Sequence, residues 1–167
     1  MDADFAGLWG YENPIEPSVA KSRTGFVICI SNCPVTWSSK LQGSIALSTM
    51  EAEYNALSMA MRELLPFRNV ALAVAKAVGV DEEVLTTFRS TVHEDNDGCW
   101  TLARMEPGRV TPRSKHYAVK THWFRSHLEP NSIEIAKIDT AVQRADILTK
   151  PLGRTQFEAI RKLLCGW

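Results

Sequence analysis

The chain has 167 residues, with 19 basic and 19 acidic side chains, and hydrophobic residues make up 45% of it. This length fits one domain with a sizeable core, and the composition is that of a globular protein rather than a disordered one. A net charge of zero gives no overall signal for a nucleic-acid partner, so the evidence on that question lies in local charge patterns.

Two features bear on where the protein works. No apolar run approaches the ~18 residues of a membrane-spanning helix, and the first residues, MDADFAG, lack the basic and apolar regions of a signal peptide. We therefore expect an intracellular protein with no membrane partner. The cysteines form no CxxC pair and have no histidine at zinc-like spacing. They are expected to be reduced and mostly buried: Cys29, Cys33, Cys99 and Cys165.

The first half of the chain predicts a loop, two strands and a long helical region. Residues 6–20 contain two glycines and two prolines and predict a loop. Segments 22–31 and 33–40 are rich in β-branched and aromatic residues and predict two strands joined by a tight turn, with 44–48 as an extension of the sheet. Helix follows from about 49 to 79, divided at Pro66 because proline breaks the helical hydrogen-bond pattern. Its second part carries apolar residues at helical spacing, which predicts core packing: Phe67, Val70, Ala71, Val74 and Val78.

The second half alternates strands and helices. The predicted elements are a strand at 86–95, a helix at 96–105 that begins near Asn96 or Asp97, a helix at 113–128 capped by Ser114, a strand at 132–140, and two closing helices at 141–150 and 154–166. Strands followed by mixed helices and strands predict a mixed α/β fold, with helices packed on the sheet.

Two glutamates begin the first helix, in LSTMEAEYNALSMA, and they lie two residues apart on different helix faces. Ser48 and Glu51 fit the capping box S-x-x-E, in which the Glu51 side chain reaches back to Ser48, so Glu51 is predicted to be structural. Glu53 lies on the apolar stripe, where a carboxylate is costly unless it is paired or binds a metal. An arginine partner, such as Arg23 or Arg62, and a metal both stay open for Glu53.

Three further acids lie on other predicted elements: Asp2 on the first strand, Asp95 at the end of the 86–95 strand, and Asp146 in RADILTK. If they met Glu53 at one end of a sheet, a hard divalent cation would be the usual way to hold them together. Two such ions about 4 Å apart make a site for phosphodiester hydrolysis. Spacing does not establish convergence, so four unrelated surface acids are the alternative.

The chain resembles the RNase H domain of copia-type LTR retrotransposon Pol polyproteins in blocks that run in order over nearly its whole length: DADFAG, SRTGFV, VTWSSKLQGSIALSTMEAEYNAL, EDN, RSKHYAVKTHWFRSHL, IDT and QRADILTKPL. The resemblance implies a single RNase H-like domain over residues 1–167, with a five-stranded mixed sheet flanked by helices. It also implies a first strand truncated at its N-terminus, because the chain begins one residue before Asp2.

The resemblance further implies an Asp-Glu-Asp-Asp site that binds two Mg²⁺ ions, with Mn²⁺ able to substitute. The matching positions are Asp2, Glu53 as the second glutamate of EAE, Asp95 of DN and Asp146 of ADILTK. These four residues are the predicted catalytic and metal-binding residues.

A stretch from Arg109 to Leu128 contains no acidic residue, and a local basic run on a neutral protein indicates contact with phosphates. A solvated helix face, with Trp123 and Phe124 in the core, is the alternative. The predicted nucleic-acid-binding residues, supported mostly by the resemblance, are Asn96, Arg113, Ser114, Lys115, His116 and Lys120, with Ser39, Lys40 and Gln42 leading into the first helix.

The resemblance thus implies a Mg²⁺-dependent endoribonuclease that cleaves the RNA strand of RNA–DNA hybrids during reverse transcription. It would work in a cytoplasmic virus-like particle or the nucleus, with a reverse transcriptase domain of the same polyprotein as a further partner. Two alternatives are a nucleic-acid-binding remnant without full activity and a structural domain that packs on a reverse transcriptase. Metal binding separates the enzyme from both, and salt-dependent hybrid binding separates the two alternatives.

Overall fold

The computed structural model describes residues 1–105 and 115–167, except the side chains of 115–118 and 121. This part of the chain is mixed α/β and contains five α-helices and two small sheets. The strands are β1 (Asp2–Ala3), β2 (Arg23–Ile30), β3 (Cys33–Leu41), β4 (Ser90–Glu94) and β5 (Ile133–Lys137). The helices are α1 (Thr49–Ala77), α2 (Glu82–Thr86), α3 (Asp97–Arg104), α4 (Lys115–Leu128) and α5 (Arg154–Cys165).

The first sheet is antiparallel, in the order β1-β2-β3. Its two long strands are joined at Ser31 and Asn32, which have φ values of 49° and 68°. Two left-handed residues are what a tight hairpin turn requires, so the prediction of two strands and a tight turn is confirmed. The prediction that 44–48 extends the sheet is wrong, because these residues form an irregular connection that ends at the helix cap Ser48.

The second sheet pairs β4 with β5 in parallel. The strand predicted at 86–95 is shorter than expected, because α2 occupies 82–86 and pairing begins at Ser90. The two sheets approach each other at Met1, whose nitrogen donates a hydrogen bond to the His93 carbonyl at 3.3 Å. The described strands form two small sheets and do not show the single five-stranded sheet that the resemblance implies.

Helix α1 begins as predicted, since the Ser48 side chain accepts a hydrogen bond from the Glu51 backbone N–H at 3.1 Å. The Glu51 carboxylate in turn accepts from the Leu47 backbone N–H at 2.8 Å, one residue before the cap. The prediction that Pro66 divides the helix is wrong, because one helix continues to Ala77. Proline inside a helix costs a hydrogen bond and crowds the preceding turn, but tertiary contacts favour continuation: Arg68 in the next turn donates hydrogen bonds to Ser90 and Phe88.

The two halves of α1 differ in burial. The first half packs Tyr54, Leu57 and Met61 into the core, and all three are fully buried. The predicted core stripe of the second half is wrong for three of its members, because Val70, Val74 and Val78 are 61%, 56% and 73% exposed. Phe67 and Ala71 are half-buried. Helical periodicity alone does not show that a helix has passed the edge of the sheets it packs against.

The structure confirms some of the remaining predictions and contradicts others. Helix α3 begins at Asn96, whose side chain accepts from the Cys99 backbone N–H, and strand β5 lies where the sequence places it. The helix expected at 141–150 is two short 3₁₀ helices, Thr140–Val142 and Arg144–Leu148. All four cysteines are free, but only Cys99 is buried, so the prediction of mostly buried cysteines is wrong. None of the described helices is long and apolar enough to cross a membrane.

Candidate metal-binding active site

Three of the four predicted carboxylates converge. Asp2 is on β1, Glu53 faces the sheets from α1, and Asp95 follows the last residue of β4. One oxygen from each of these residues lies within 4.8 Å of one from each of the others. Asp2 and Glu53 are buried, with 0% and 7% of their surfaces exposed, and Asp95 is half-buried. The chain thus gathers acids from three separate elements into one place, which spacing alone does not establish.

Hydrogen bonds orient each of these carboxylates. The Ala3 backbone N–H donates to Glu53 Oε2 at 2.8 Å, and the Thr149 hydroxyl donates to Asp2. The Thr140 hydroxyl donates to Asp95 Oδ2 at 2.8 Å, while Asp95 Oδ1 is buried with no hydrogen-bond partner in the described chain. Neither arginine considered as a partner for Glu53 forms an ion pair with it among the described residues.

The fourth predicted acid, Asp146, joins the group through a lysine. Lys150 Nζ lies 3.0 Å from both Asp2 Oδ1 and Asp146 Oδ1. Gly25 permits this approach, because it lies opposite Asp2 on β2 and a Cβ there would come within 2.7 Å of Thr149 Cγ2. The absence of a side chain at Gly25 therefore lets the 3₁₀ helix and its carboxylate pack closely against the first sheet.

Crowding shifts the proton affinities of these acids. Burial, reinforced by Asp2, Glu94 and Asp95, raises the pKa of Glu53 to about 10. Burial, reinforced by Asp2, raises the pKa of Asp146 to about 6. Burial opposes the Lys150 ammonium, but the neighbouring carboxylates outweigh it and raise the pKa of Lys150. Among the described residues, Lys150 and the buried Met1 ammonium compensate the negative charge of these acids only in part, and a bound cation would compensate more of it.

Glu94 is a further carboxylate that the sequence interpretation missed. It is fully buried, and its Oε1 accepts from the Asn96 backbone N–H at 2.9 Å. Its Oε2 has no hydrogen-bond partner in the described chain, and burial raises the pKa of Glu94 to about 7. Strand alternation provides a signal for it, because Glu94 lies two residues after buried Val92 on the same strand face.

A cavity of about 480 Å³ opens beside the carboxylates. Glu53, Asp95, Asn96 and Lys150 line it on one side, and the loop from Asp4 to Gly7 contributes to the other. Oxygen donors are the ligands that Mg²⁺ prefers, and the cluster supplies a buried, unpartnered oxygen on Asp95. The residues present therefore fit a hard divalent cation, although metal binding itself stays a prediction.

The predicted nucleic-acid contacts on β3 and its neighbourhood occupy different environments. Ser39 and Lys40 are exposed on β3, and the Ser39 hydroxyl donates to the Leu148 carbonyl at 2.6 Å. Gln42 is buried, and its amide nitrogen donates to Thr24 and to the Ala52 carbonyl. A substrate contact by Gln42 stays a prediction, but the structure gives its amide a role in packing the start of α1.

The other predicted contacts are Asn96 at the start of α3 and residues within or just before α4 in the sequence. Asn96 caps α3 beside Asp95, and the half-buried Lys120 donates a hydrogen bond to Asn55 on α1, two residues after Glu53. Lys115 and His116 lie in the first turn of α4, but their side chains are outside the described atoms. Arg113 and Ser114, including the predicted helix cap, lie outside the described residues.

The chain is similar to retrovirus-related Pol polyproteins of plant transposons. It is 31% identical over 163 residues to the Pol polyprotein from transposon TNT 1-94 of Nicotiana tabacum, which covers 98% of this chain and 11% of the relative. It is 27% identical over 157 residues to those from transposons RE1 and RE2 of Arabidopsis thaliana, which covers 94% of this chain and 10% of each relative.

These matches support the interpretation of the chain as a fragment of a retrotransposon Pol polyprotein with a retroelement-related function. The chain spans about a tenth of the length of the curated relatives it matches. No protein-family model matches the chain, and no solved structure matches it.

Proposed function

We propose that the chain is a Mg²⁺-dependent ribonuclease H that cleaves the RNA strand of RNA–DNA hybrids. The observation that carries this proposal is the convergence of Asp2, Glu53 and Asp95 from three separate elements. A buried acid cluster beside an open cavity favours metal-dependent chemistry over a surface role. Similarity to retrovirus-related Pol polyproteins supports a place in retroelement replication.

In the proposed site, Asp2, Glu53, Asp95 and Asp146 hold two Mg²⁺ ions, with Mn²⁺ as a substitute. Such ions, when bound, supply an activated water and stabilise charge on a phosphodiester. The protein's own contribution is orientation: the Ala3 N–H holds Glu53, and the Thr140 hydroxyl holds Asp95. Lys150 neutralises part of the charge on Asp2 and Asp146.

The proposal extends to the surrounding fold and partners. We infer one RNase H-like domain. The hydrogen bond from Met1, next to β1, to the His93 carbonyl on β4 supports this, because it joins the two sheets directly. Asn96, which follows Asp95, and Lys120, which donates a hydrogen bond to Asn55, would contact the hybrid together with the basic residues that begin α4. A reverse transcriptase domain of the same polyprotein would be a further partner.

The proposal is tested by cleavage of an end-labelled RNA–DNA hybrid in Mg²⁺. Asp95→Asn keeps the size of the side chain and removes its charge, so we expect activity to fall on the order of a hundredfold or more, about 3 kcal/mol of activation free energy. Asp97→Asn is the matched control, because Asp97 lies two residues away, is exposed and pairs with Lys137. Its activity should stay within about twofold of the unmodified protein, a change below 0.5 kcal/mol.

Two results would contradict the proposal. Equal cleavage of single-stranded RNA and hybrid would contradict the proposed substrate specificity. Undiminished cleavage in EDTA would contradict the proposed metal requirement. A folded protein that binds the hybrid in a salt-dependent way without cleaving it would instead identify a nucleic-acid-binding module. A folded protein that neither cleaves nor binds the hybrid would favour a structural domain.

A further inference from the structure

The carboxylates define two neighbouring positions for a cation. The first lies among Asp2, Glu53 and Asp95, each of which offers one oxygen within 4.8 Å of the others. The second lies between Asp2 and Asp146, and the Lys150 ammonium is there, 3.0 Å from one oxygen of each. We refer to them as the three-carboxylate position and the lysine position. Asp2 borders both, so the two positions share a ligand.

The lysine position needs a positive charge whether or not a metal is bound. Asp2 and Asp146 are 0% and 1% exposed, and water therefore does little to stabilise their charges. The Thr149 hydroxyl donates a hydrogen bond to Asp2 but brings no net charge. Buried carboxylates that lose their counter-charge are strongly destabilising. The Lys150 ammonium thus has the role that a divalent cation between the same two carboxylates would have.

Lys150 is able to move away from the two carboxylates. Its side chain is 33% exposed, unlike those of its two partners. It lines the cavity beside the carboxylates, so the ammonium has space to enter. It follows the 3₁₀ helix Arg144–Leu148, and residues 151–153 after it belong to no helix or strand. A flexible four-carbon stem carries the charge, so the ammonium can leave while the 3₁₀ helix and Asp146 stay in place.

We propose that Lys150 is a displaceable internal cation, which holds Asp2 and Asp146 together without metal and moves into the cavity when a second divalent ion binds. This inference rests on the proposed metal site and specifies how that site fills. A first ion at the three-carboxylate position leaves Lys150 where it is. A second ion binds more weakly than the first, because it competes with an ammonium that the chain itself supplies.

The first test follows Lys150 in the unmodified protein by its reaction with N-hydroxysuccinimide acetate at mildly alkaline pH. The neighbouring carboxylates raise the pKa of Lys150 against the effect of burial, so the amine reacts slowly while it bridges them. We expect acetylation of Lys150 to be at least about tenfold faster in saturating Mg²⁺ than in EDTA at equal ionic strength. Peptide mass spectrometry measures it, and Lys76, which pairs with exposed Glu82, is the internal reference.

The second test counts bound ions by electron paramagnetic resonance of Mn²⁺. The unmodified protein should bind one ion tightly and a second more weakly. Lys150→Met removes the competing charge, so the second ion should bind at least about tenfold more tightly. Lys150→Arg keeps a cation at the lysine position and should retain the weak second step. Lys76→Met is the matched control, because it removes an exposed lysine charge that pairs with Glu82 and should change neither step.

Acetylation should also follow the second step of ion binding and not the first. A titration of the unmodified protein with Mn²⁺ gives both curves on one sample. Because this measurement needs no variant, it decides the proposal even if Lys150→Met fails to fold. Coincidence of the acetylation rate with the second step would support displacement.

Three results would overturn the inference. Lys150 that stays unreactive with two ions bound would be a permanent ion pair. Equal affinity for the second ion in Lys150→Met and the unmodified protein would show that the ammonium does not compete. A single ion in both proteins would show that the lysine position takes no metal.

The failure of this inference differs from the failure of the proposed function. Metal-dependent cleavage of the hybrid with Lys150 protected throughout would overturn the inference alone. Displacement of Lys150 in a protein that binds two ions but does not cleave the hybrid would support the inference and contradict the nuclease. Absence of any bound ion would overturn both.

Discussion

Two regions of the molecule, the carboxylate cluster and the surroundings of Arg68, carry opposite charge. Asp2, Glu53 and Asp95 crowd together, with Lys150 bridging Asp2 and Asp146 and the buried Met1 ammonium beside them. Arg68 is buried without a carboxylate partner in the described chain and contacts Ser90 and Phe88 instead. A net charge of zero hides this separation. Local charge, and not the total, therefore indicates where the molecule has room for a ligand.

The carboxylate cluster and Arg68 also differ in how their charge can be compensated. Buried carboxylates can take up protons, and the raised pKa values of Glu53 and Asp146 express that tendency. An arginine keeps its charge at any ordinary pH, so Arg68 requires an anion or polar partners. We therefore expect pH and divalent metals to act on the carboxylate cluster and to leave the surroundings of Arg68 unchanged.

Among changes to the charged groups, the largest effect on stability is expected from Lys150→Met. This change removes both ion pairs of Lys150 and leaves Asp2 and Asp146 buried without compensation. In EDTA we expect the free energy of unfolding to fall by about 3 kcal/mol, the lower end for breaking a buried pair, since Lys150 is a third exposed. Urea denaturation measures the loss, and saturating Mg²⁺ should recover most of it if the carboxylates bind the ion.

Lys76→Met is the control for this prediction. Lys76 also pairs with an acid, Glu82, but both side chains are mostly exposed, so the loss should be below about 1 kcal/mol and should not respond to Mg²⁺. If Lys150→Met reduced the free energy of unfolding no more than the control, the stability of the carboxylate cluster would not depend on a cation.

Gly25→Ala is expected to have the next largest effect. A Cβ at this position would meet the Leu148 side chain at 2.8 Å and Thr149 Cγ2 at 2.7 Å, so the 3₁₀ helix must shift away from β2. We expect a loss of about 2 kcal/mol, typical of overpacking, together with weaker Mg²⁺ binding measured by calorimetry. Gly43→Ala, which has open space around its Cβ, should change neither quantity. Unchanged metal binding in Gly25→Ala would separate Asp146 from the metal site.

Stability without metal is expected to fall as pH rises. The folded pKa values of Glu53 and Asp146 are raised above their ordinary values, to about 10 and about 6, so the folded state binds more protons than the unfolded state within these windows. Stability from protonation is complete below about pH 4 and is lost as pH rises through the folded pKa values. In EDTA the melting temperature should fall between pH 6 and pH 8, and Glu94, whose pKa burial raises to about 7, adds to the fall. The Met1 ammonium and His93, whose pKa values burial lowers, oppose part of it.

Magnesium should flatten this pH dependence, because a bound cation replaces the protons at the carboxylates. Glu53→Gln should flatten it as well, by removing the most strongly shifted acid. A melting temperature that rises over the same pH range in EDTA would contradict the electrostatic description of the carboxylate cluster.

Most local structure could be predicted because its signals are local. The cap at Ser48, the turn at Asn32 and the α3 cap at Asn96 each depend on a few neighbouring residues, and each is present. Helical geometry predicts that Glu51 and Glu53 lie on opposite faces of α1. Accordingly, Glu51 bonds at the start of the helix, and Glu53 lies in the acid cluster.

Features that depend on distant contacts escaped prediction. The i,i+4 spacing of Asp146 and Lys150 is a local signal, but nothing near Lys150 indicates that it also contacts Asp2, which is 148 residues away. The exposure of Val74 depends on where the sheets end beneath α1, and the unpaired state of Arg68 depends on which acids fail to reach it. Residue patterns identify the candidate acids of the site, but the tertiary fold decides which charges lack a partner.

The smallest effect is expected from Val74→Glu, in the exposed second half of α1. Val74 is 56% exposed, so the substitution buries no charge and should change the free energy of unfolding by less than about 0.5 kcal/mol. Leu57→Ala on the same helix provides the contrast, because Leu57 is fully buried and should cost about 2–5 kcal/mol. A loss above 1 kcal/mol for Val74→Glu would mean that the stripe is covered in solution, for example by a second copy, which sedimentation would detect.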